Sequence, residues 1–117
     1  MPTIPVLSQL ENYLALTNQR ETVLASNMAN VDTPGYRTKD IDFQGELARA
    51  MAAPAGSSSP TVAVRDVKGL LERPDGNNVD IDKQSLELGE AQLQYQMGTQ
   101  LMKDRFHQIL SAINGDQ

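Results

Sequence analysis

The sequence predicts a mostly α-helical fold, in which long N- and C-terminal helices pair as an antiparallel, coiled-coil-like core around a small irregular middle. Apolar residues recur at helical spacing in the first 30 residues and again after residue 80, and turn-forming residues interrupt the segment between them. The 117-residue chain fits one domain and holds only two Phe, three Tyr and no Trp, which indicates a narrow core. We divide it into a helix and turn (1–36), a middle segment with a flexible linker (37–79) and a second helix (80–117).

The first helix is predicted from about Leu7 to Asn30, because its apolar residues follow a heptad frame. Thr17 and Glu21 interrupt this frame, and the apolar arc still covers about half of the helix circumference. An arc of that width can contact more than one neighbour. The residues expected to form the contact surface are Leu7, Leu10, Leu14, Leu24 and Met28.

A turn is expected directly after this helix. Pro34 has a fixed φ and disfavours a helical conformation at Thr33, whereas Gly35 can adopt a positive φ. These are the preferences of a type II turn. The residues assigned to the turn motif are Asn30, Thr33, Pro34, Gly35 and Tyr36.

The middle segment combines a short helix, a linker and a possible β-hairpin. Asp42 is a suitable N-cap for a helix over residues 43 to 53, which places apolar residues on one face. Residues 53–60 are rich in Ala, Ser, Pro and Gly, a composition typical of flexible linkers. Residues 61–64 favour a strand, and the sequence after them predicts a turn that returns the chain onto residues 70–71.

The longest helix is predicted from about Asp80 to Ile113. A turn cluster at residues 74–78 precedes it, and either Asp80 or Asp82 can cap its N-terminus. The dipeptide at 114–115, Asn-Gly, is a typical helix end.

The apolar residues of this last helix form two stripes whose centres lie roughly 160° apart. A surface helix of a monomer presents one stripe, so two stripes predict two apolar neighbours. Gly89 and Gly98 each cost about 1 kcal/mol in a helix interior, which favours a close backbone approach at these positions. The larger stripe consists of Leu88, Ala91, Tyr95, Met102, Phe106, Ile109 and Ile113, and the smaller stripe of Leu86, Leu93, Met97 and Leu101.

Two helices and a small middle cannot bury all of this apolar surface. An exposed stripe of such length indicates an interaction surface, so we expect an element that assembles with itself or with partners. The alternative is that the middle segment folds back and covers the remaining stripe. That alternative is less favoured, because the middle contains few large apolar side chains.

The composition excludes several classes of function. A net charge of −5 argues against non-specific nucleic-acid binding, which needs a basic surface. No apolar run approaches the ~20 residues that span a bilayer, so we expect no direct membrane insertion. The chain has no Cys for zinc binding or thiol catalysis. Its first residues lack the basic and apolar regions of a cleaved secretory signal.

No catalytic residue, metal ligand or cofactor site is expected. Residues 75–82 contain oxygen ligands suitable for calcium, but their spacing departs from the EF-hand loop, and a turn leading into a capped helix explains them better. Asp40 and Asp42 are more typical of helix caps than of a catalytic carboxylate pair. His107 is the only histidine, and one histidine cannot form a metal site by itself.

The turn motif identifies a family resemblance. The segment from Asn27 to Tyr36 closely resembles the Ala-Asn-x-x-Thr-Pro-Gly-Tyr signature that follows the N-terminal helix of the bacterial flagellar rod and hook proteins. Residues 37–43 and 75–80 are similar to the basal-body rod members that form the proximal rod. The short middle also fits those members, since hook and distal rod proteins carry much larger inserted domains.

The resemblance implies a structural subunit of the flagellar basal body, which forms the proximal part of the axial rod and is not an enzyme. Its implied partners are other rod subunits, the rod-to-membrane-ring adaptor and the flagellar type III export apparatus. It also implies a periplasmic location without a cleaved signal peptide, and termini that are poorly ordered before assembly. The competing hypothesis is a soluble helical adaptor or secretion chaperone that binds one partner helix.

Overall fold

The computed structural model describes residues 5–52 and 62–115. In the described residues, two long helices flank a short helix and a two-stranded sheet. The mostly α-helical prediction is confirmed, whereas the predicted linker at 53–60 lies outside the described residues. The elements are α1 (Pro5–Ala29), β1 (Lys39–Ile41), α2 (Phe43–Ala52), β2 (Val64–Asp66) and α3 (Ile81–Asn114).

The pairing of α1 with α3 forms the main core and is antiparallel, as predicted. Leu24 and Ala91 are completely buried in this seam. Thr17, which interrupts the heptad frame, is also buried, and its hydroxyl donates to the carbonyl of Tyr13 at 2.7 Å. A threonine is therefore tolerated at this buried position, because its hydroxyl forms a hydrogen bond with a backbone carbonyl of the same helix.

The two mid-helix glycines of α3 have different roles. Gly98 is buried, and a Cβ atom added there would lie 2.7 Å from Leu14 Cδ2 and 3.2 Å from two ring carbons of Tyr13. The close approach predicted at Gly98 is thus confirmed. Gly89 is exposed and would meet nothing within 4 Å, so the same prediction is wrong for Gly89.

Local capping fixes both ends of α3. The carboxylate of Asp80 accepts from the backbone N–H groups of Asp82 and Lys83 at 3.1 and 3.3 Å, so Asp80 is the N-cap and Asp82 lies in the first turn. At the other end, Gly115 has a φ of 67° and its N–H donates to the carbonyl of Ser111. A left-handed glycine at this position is a common helix end.

Helix α2 begins at Phe43, as predicted, and packs against α1. The carboxylate of Asp42 accepts from the backbone N–H of Gly45 at 3.3 Å, which confirms Asp42 as its cap. The ring of Phe43 meets that of Tyr13 edge to face, with 5.6 Å between the ring centres. Within the described residues, the middle segment therefore packs mainly on α1, and most of the smaller stripe of α3 stays exposed.

The predicted hairpin between residues 61–64 and 70–71 is wrong. Strand β2 pairs antiparallel with the earlier strand β1, with Lys39 opposite Asp66 and Ile41 opposite Val64. Lys39 Nζ and Asp66 Oδ1 lie 2.7 Å apart, so opposite charges on facing residues help to select this partner. Residues 70–71 form no strand, and the side chain of Leu71 is 92% exposed.

Candidate assembly surface and loop junction

The turn motif after α1 has the predicted geometry. The backbone N–H of Tyr36 donates to the carbonyl of Thr33 at 3.2 Å, which brackets Pro34 and Gly35 in a four-residue turn. Gly35 has a φ of 75°, the positive value that a type II turn requires at its third position. The Thr33 hydroxyl also donates to the side-chain oxygen of Asn30 at 3.0 Å. All five predicted turn residues therefore lie in one local structure.

A second loop packs directly against this turn, and we call the contact between residues 30–38 and 72–79 the loop junction. The N–H of Gly35 donates to the carbonyl of Asp75 at 2.9 Å. A Cβ atom added at Gly76 would lie only 3.3 Å from the Cα atom of Gly35, so the two backbones almost touch. The junction joins the end of α1 to the approach to α3.

Asn77 is the central side chain of the loop junction. Its amide nitrogen donates to the carbonyls of Asn30, Val31 and Thr33 at 3.0, 3.0 and 2.8 Å. Its amide oxygen accepts from the N–H of Val79 at 2.8 Å. The side chain is completely buried. Asn77 thus binds backbone atoms both just beyond the end of α1 and just before the start of α3.

Asn27 has a similar role in the last turn of α1. Its amide nitrogen donates to the carbonyl of Lys39 at 2.7 Å and to the side-chain oxygen of Gln84 at 2.8 Å. Its amide oxygen accepts from the hydroxyl of Tyr36 and the N–H of Lys39, at 3.0 and 3.1 Å. This network, in which the side chains of Asn27 and Gln84 are buried, connects α1, the turn, β1 and α3.

Three further residues close the loop junction. The side-chain oxygen of Asn78 accepts from the N–H of Thr38 at 2.6 Å, and the Thr38 hydroxyl donates to the carbonyl of Asn78. The guanidinium of Arg73 donates to the carbonyls of Val79 and Val31. Side chains therefore bind backbone on both loops and hold the two loops together.

A charged cluster lies along the same helix pair. Arg20 on α1 donates two hydrogen bonds to Asp40, at 3.1 and 3.2 Å, and lies 3.6 Å from Glu87 on α3. Burial, and then the charge of Asp40, raise the pKa of Glu87. The cap predicted at Asp40 is wrong, because its carboxylate binds Arg20 and the adjacent N–H of Ile41 instead.

The predicted contact residues of α1 differ in exposure. Leu24 is completely buried within the chain, so it belongs to the core and offers no surface to a neighbour. Leu14 packs against the position of Gly98 and is partly buried. The other partly buried members are Leu7, Leu10 and Met28.

The fold buries the two stripes of α3 to different extents. The larger stripe faces α1 in its first half, where Ala91 is buried and Leu88 is partly buried. Farther along it becomes more exposed, with Met102 and Ile109 partly buried and the aromatic and terminal members open to solvent; these are Tyr95, Phe106 and Ile113. The smaller stripe is more than half exposed at every member, namely Leu86, Leu93, Met97 and Leu101.

The smaller stripe leads at one end into an apolar groove between the three helices. The groove has a volume of about 230 Å³, and its walls come from all three helices. Met51 and Leu101, which face it from α2 and α3, are each about half exposed. The lining residues are Gln9, Leu10, Tyr13, Leu47, Met51 and Leu101.

The structure also shows where the candidate calcium-binding and metal-binding residues lie. Asp75, once compared with a calcium ligand, accepts from the N–H of Asn77 at 2.9 Å and shapes the turn. His107 is exposed on α3. Within residues 5–52 and 62–115, no group of three or more His, Cys, Asp or Glu residues is placed to hold a metal ion. None of the helices there is long and apolar enough to cross a membrane.

Sequence reasoning did not identify Arg20, Asn77 or Gln84 as joining residues. Each acts on a partner distant along the chain: Arg20 binds Asp40, and Gln84 binds Asn27. The only available signal was the polar character of Gln84 at a core position of the helix, where an apolar residue would fit the frame.

An exposed apolar stripe, beside a helix that ends in a Thr-Pro-Gly-Tyr turn, is typical of a protein that assembles through its helices. The family model described as flagella basal body rod protein matches residues 14–37, which cover the second half of α1 and the turn. The chain is 34% identical to the flagellar basal body rod protein FlgB of Salmonella typhimurium strain LT2, over 90% of each sequence.

Other relatives give the same assignment. The chain is 32% identical to FlgB of Escherichia coli strain K12, over 88% of each sequence. It is 30% identical to FlgB of Bacillus subtilis strain 168, over 93% of each. The chain belongs to the FlgB family of flagellar basal body rod proteins, and it is a structural subunit of the rod. These comparisons do not support the adaptor or secretion-chaperone hypothesis.

Proposed function

We propose that the chain builds the proximal rod by packing its exposed apolar helix faces against neighbouring subunits. The observation that carries this proposal is the smaller stripe: α3 is covered by α1 on one side, whereas Leu86, Leu93 and Met97 remain more than half exposed on the other. An apolar surface that the chain does not cover favours a protein neighbour.

The stripe is large enough to matter energetically. Full burial of one Leu or Met side chain contributes about 1.5–3 kcal/mol, and each member of the stripe still exposes more than half of its surface. Covering all four members therefore contributes roughly 3–7 kcal/mol before the entropy of association is subtracted. One such contact is weak, so a stable rod needs several contacts on each subunit.

The partners proposed for these faces are other rod subunits and the rod-to-membrane-ring adaptor. Membership of the rod family supports a basal-body location, and we extend it to a periplasmic rod subunit exported by the flagellar export apparatus without a cleaved signal peptide. The side chains of the loop junction bind backbone atoms, which supports a structural protein without enzymatic activity or cofactor. The proposed contact residues exclude Leu24 and centre on the two stripes.

The test places a charge on each stripe. Leu93→Asp changes the smaller stripe, and Phe106→Asp changes the exposed part of the larger stripe. If a neighbouring subunit buries either position, the unpaired charge costs several kcal/mol. Asn18→Asp on the exposed polar side of α1 is the control. We expect both stripe variants to be exported but absent from purified basal bodies, with circular dichroism of the free protein close to wild type.

The outcomes separate the two stripes. Normal incorporation of either variant would remove that stripe from the interface. A wild-type chain that never co-purifies with basal bodies would overturn the proposed function as a whole. Unfolding of the free Leu93→Asp or Phe106→Asp variant would show that the affected stripe belongs to the core of the chain.

A further inference from the structure

The exposed side of α3 carries negative charge along its first half. At 100° per residue, the side chains of Asp82 and Glu90 lie within about 40° of the line through Leu86, Leu93 and Met97. Both carboxylates are exposed. We call this surface the acidic face; its residues are Asp82, Leu86, Glu90, Leu93 and Met97. At its edge, Lys83 lies 3.9 Å from Glu87, so its positive charge has an acidic neighbour within the chain.

The last turns of α3 carry the complementary pattern. Phe106, Leu110 and Ile113 are each more than half exposed and share one side of the helix, at i, i+4 and i+7. Lys103 and Arg105 are exposed and project to either side of that apolar ridge. We call these five residues the basic end.

The basic end extends past the helix pair. Gln84 lies opposite Asn27, and Gly98 lies opposite Leu14. Continuing this antiparallel register at 1.5 Å per residue places about two turns of α3 beyond Pro5, where α1 begins. The ridge of the basic end is therefore not covered by the described length of α1.

The acidic face and the basic end cannot meet within one molecule. They lie on nearly opposite sides of one continuous helix, and Glu90 and Leu110 are about 30 Å apart along its axis. Two copies shifted along the axis by that distance bring the two surfaces together. A contact between different surfaces of identical subunits does not close on itself as a two-fold dimer does, and it extends into rings or helical arrays.

We propose that the basic end of one copy packs on the acidic face of the next copy, in a head-to-tail contact. This inference rests on the proposed function, since it names the partner of a rod-forming surface. The apolar ridge with Lys103 and Arg105 covers the stripe, while the positive charges lie beside Asp82 and Glu90. Charge complementarity thus specifies both the partner surface and its direction.

Cysteine cross-linking tests this contact without interference, because the chain has no natural cysteine. Leu93→Cys lies on the acidic face and Leu110→Cys on the basic end. The double variant is expressed in cells that lack the wild-type chain. Basal bodies are then isolated, oxidised and compared on gels with and without reductant. The matched control pairs Leu110→Cys with Asn18→Cys, on the exposed polar side of α1.

We expect disulfide-linked pairs of this chain from the double variant, but not from either single variant or the control pair. Linked pairs from Leu93→Cys alone would show that the acidic face meets itself, and would overturn the head-to-tail contact. A link to a different rod protein would overturn the second copy as partner. Incorporation without any link would overturn this inference while leaving the proposed function intact.

Charge exchange provides a second measurement that does not depend on cysteine. We expect the double variant Asp82→Lys and Glu90→Lys to lower the amount of this chain in purified basal bodies about tenfold, through repulsion from the basic end. Adding Lys103→Glu and Arg105→Glu in the same chain should restore most of that amount. Failure of the exchanged charges to restore it, with the free protein still helical, would overturn the contact.

Discussion

The side-chain amide of Asn77 donates to the carbonyl of Thr33 at 2.8 Å, across 44 residues of sequence. The same amide donates to the carbonyls of Asn30 and Val31, so a residue from the approach to α3 holds the backbone that follows α1. Most helix ends are capped by residues directly after them. Here the end of one helix depends on the placement of the loop that leads into the other.

Replacement of Asn77 should therefore destabilise the whole helix pair. Asn77→Ala removes the hydrogen bonds to these carbonyls and leaves the buried N–H of Val79 without this acceptor, so we expect it to lower the free energy of unfolding by about 1–3 kcal/mol. Asn77→Asp has nearly the same shape but places a carboxylate oxygen among three carbonyls, so it should be at least as damaging as Ala. Chemical denaturation followed by circular dichroism measures both. The exposed Asn18→Asp is the matched control, and equal stability of wild type and Asn77→Asp would contradict this role.

At Gly35, the effect of a substitution should depend only on how readily the new residue adopts a positive φ. Gly35 has a φ of 75°, and a Cβ atom there would meet nothing within 4 Å. We expect Gly35→Val to cost about 1–2 kcal/mol and to impair assembly, since β-branched residues disfavour this conformation. Gly35→Asn should cost less, because Asn adopts positive φ more readily. Equal stability of the Val and Asn variants would show that the turn adapts to the substitution.

The two glycines of α3 provide a matched pair of substitutions. Gly98→Val forces a branched side chain against Leu14 and Tyr13, and we expect a loss of about 1–3 kcal/mol in the free energy of unfolding. Gly89→Val meets open space and should change stability by less than about 0.5 kcal/mol, since Val is a slightly better helix former than Gly. Thermal denaturation of both variants measures the difference, and similar melting temperatures would contradict the close packing at Gly98.

Glu46 should make the free energy of unfolding of the chain decrease as the pH falls. Its buried carboxylate lies 2.7 Å from the guanidinium of Arg49 and also accepts from the N–H of Ala63. The hydrogen bond from Arg49 lowers the pKa of Glu46 below its ordinary value of 4.5, against the opposing effect of burial. Its stabilising contribution is thus present above that value and is lost as pH falls through the lowered pKa. Glu46→Gln should be less stable than wild type at pH 7, and the difference should shrink on acidification.

Glu87 should show the opposite pH dependence. Burial and the charge of Asp40 raise the pKa of Glu87, so its contribution is present below the ordinary value and is lost as pH rises through the raised pKa. The stability of Glu87→Gln relative to wild type should therefore increase with pH across that range. Denaturation of wild type, Glu46→Gln and Glu87→Gln at matched pH values tests both signs, and parallel profiles would contradict them.

The predictions that succeeded rest on neighbouring residues. Asp80 caps α3 and Gly35 completes the turn because these preferences are decided within a few residues of sequence. The pairing of β1 with β2 was missed, since the partner strand lies on the far side of α2 and short strands carry little register information.

The division of residues between core and assembly surface was predicted only in part. Periodicity placed Leu24 on the apolar side of α1, but it could not show that α3 covers this residue completely. It did identify the smaller stripe of α3, which remains exposed. Arg20 and Gln84 were missed because their partners are Asp40 and Asn27, and a distant polar partner leaves no periodic signal in the sequence.

The bond between Asn27 and Gln84 spans 57 residues, and this separation has a consequence for how the chain folds. The core of α1 forms with the last third of the chain. A ribosome-bound or otherwise partial chain therefore lacks helix α3, which buries Leu24. Closing so long a loop is entropically costly, and the contacts that compensate form only once α3 is present. The topology therefore delays completion of the main core until nearly the entire polypeptide is available, while α1 can already contact α2 and β1.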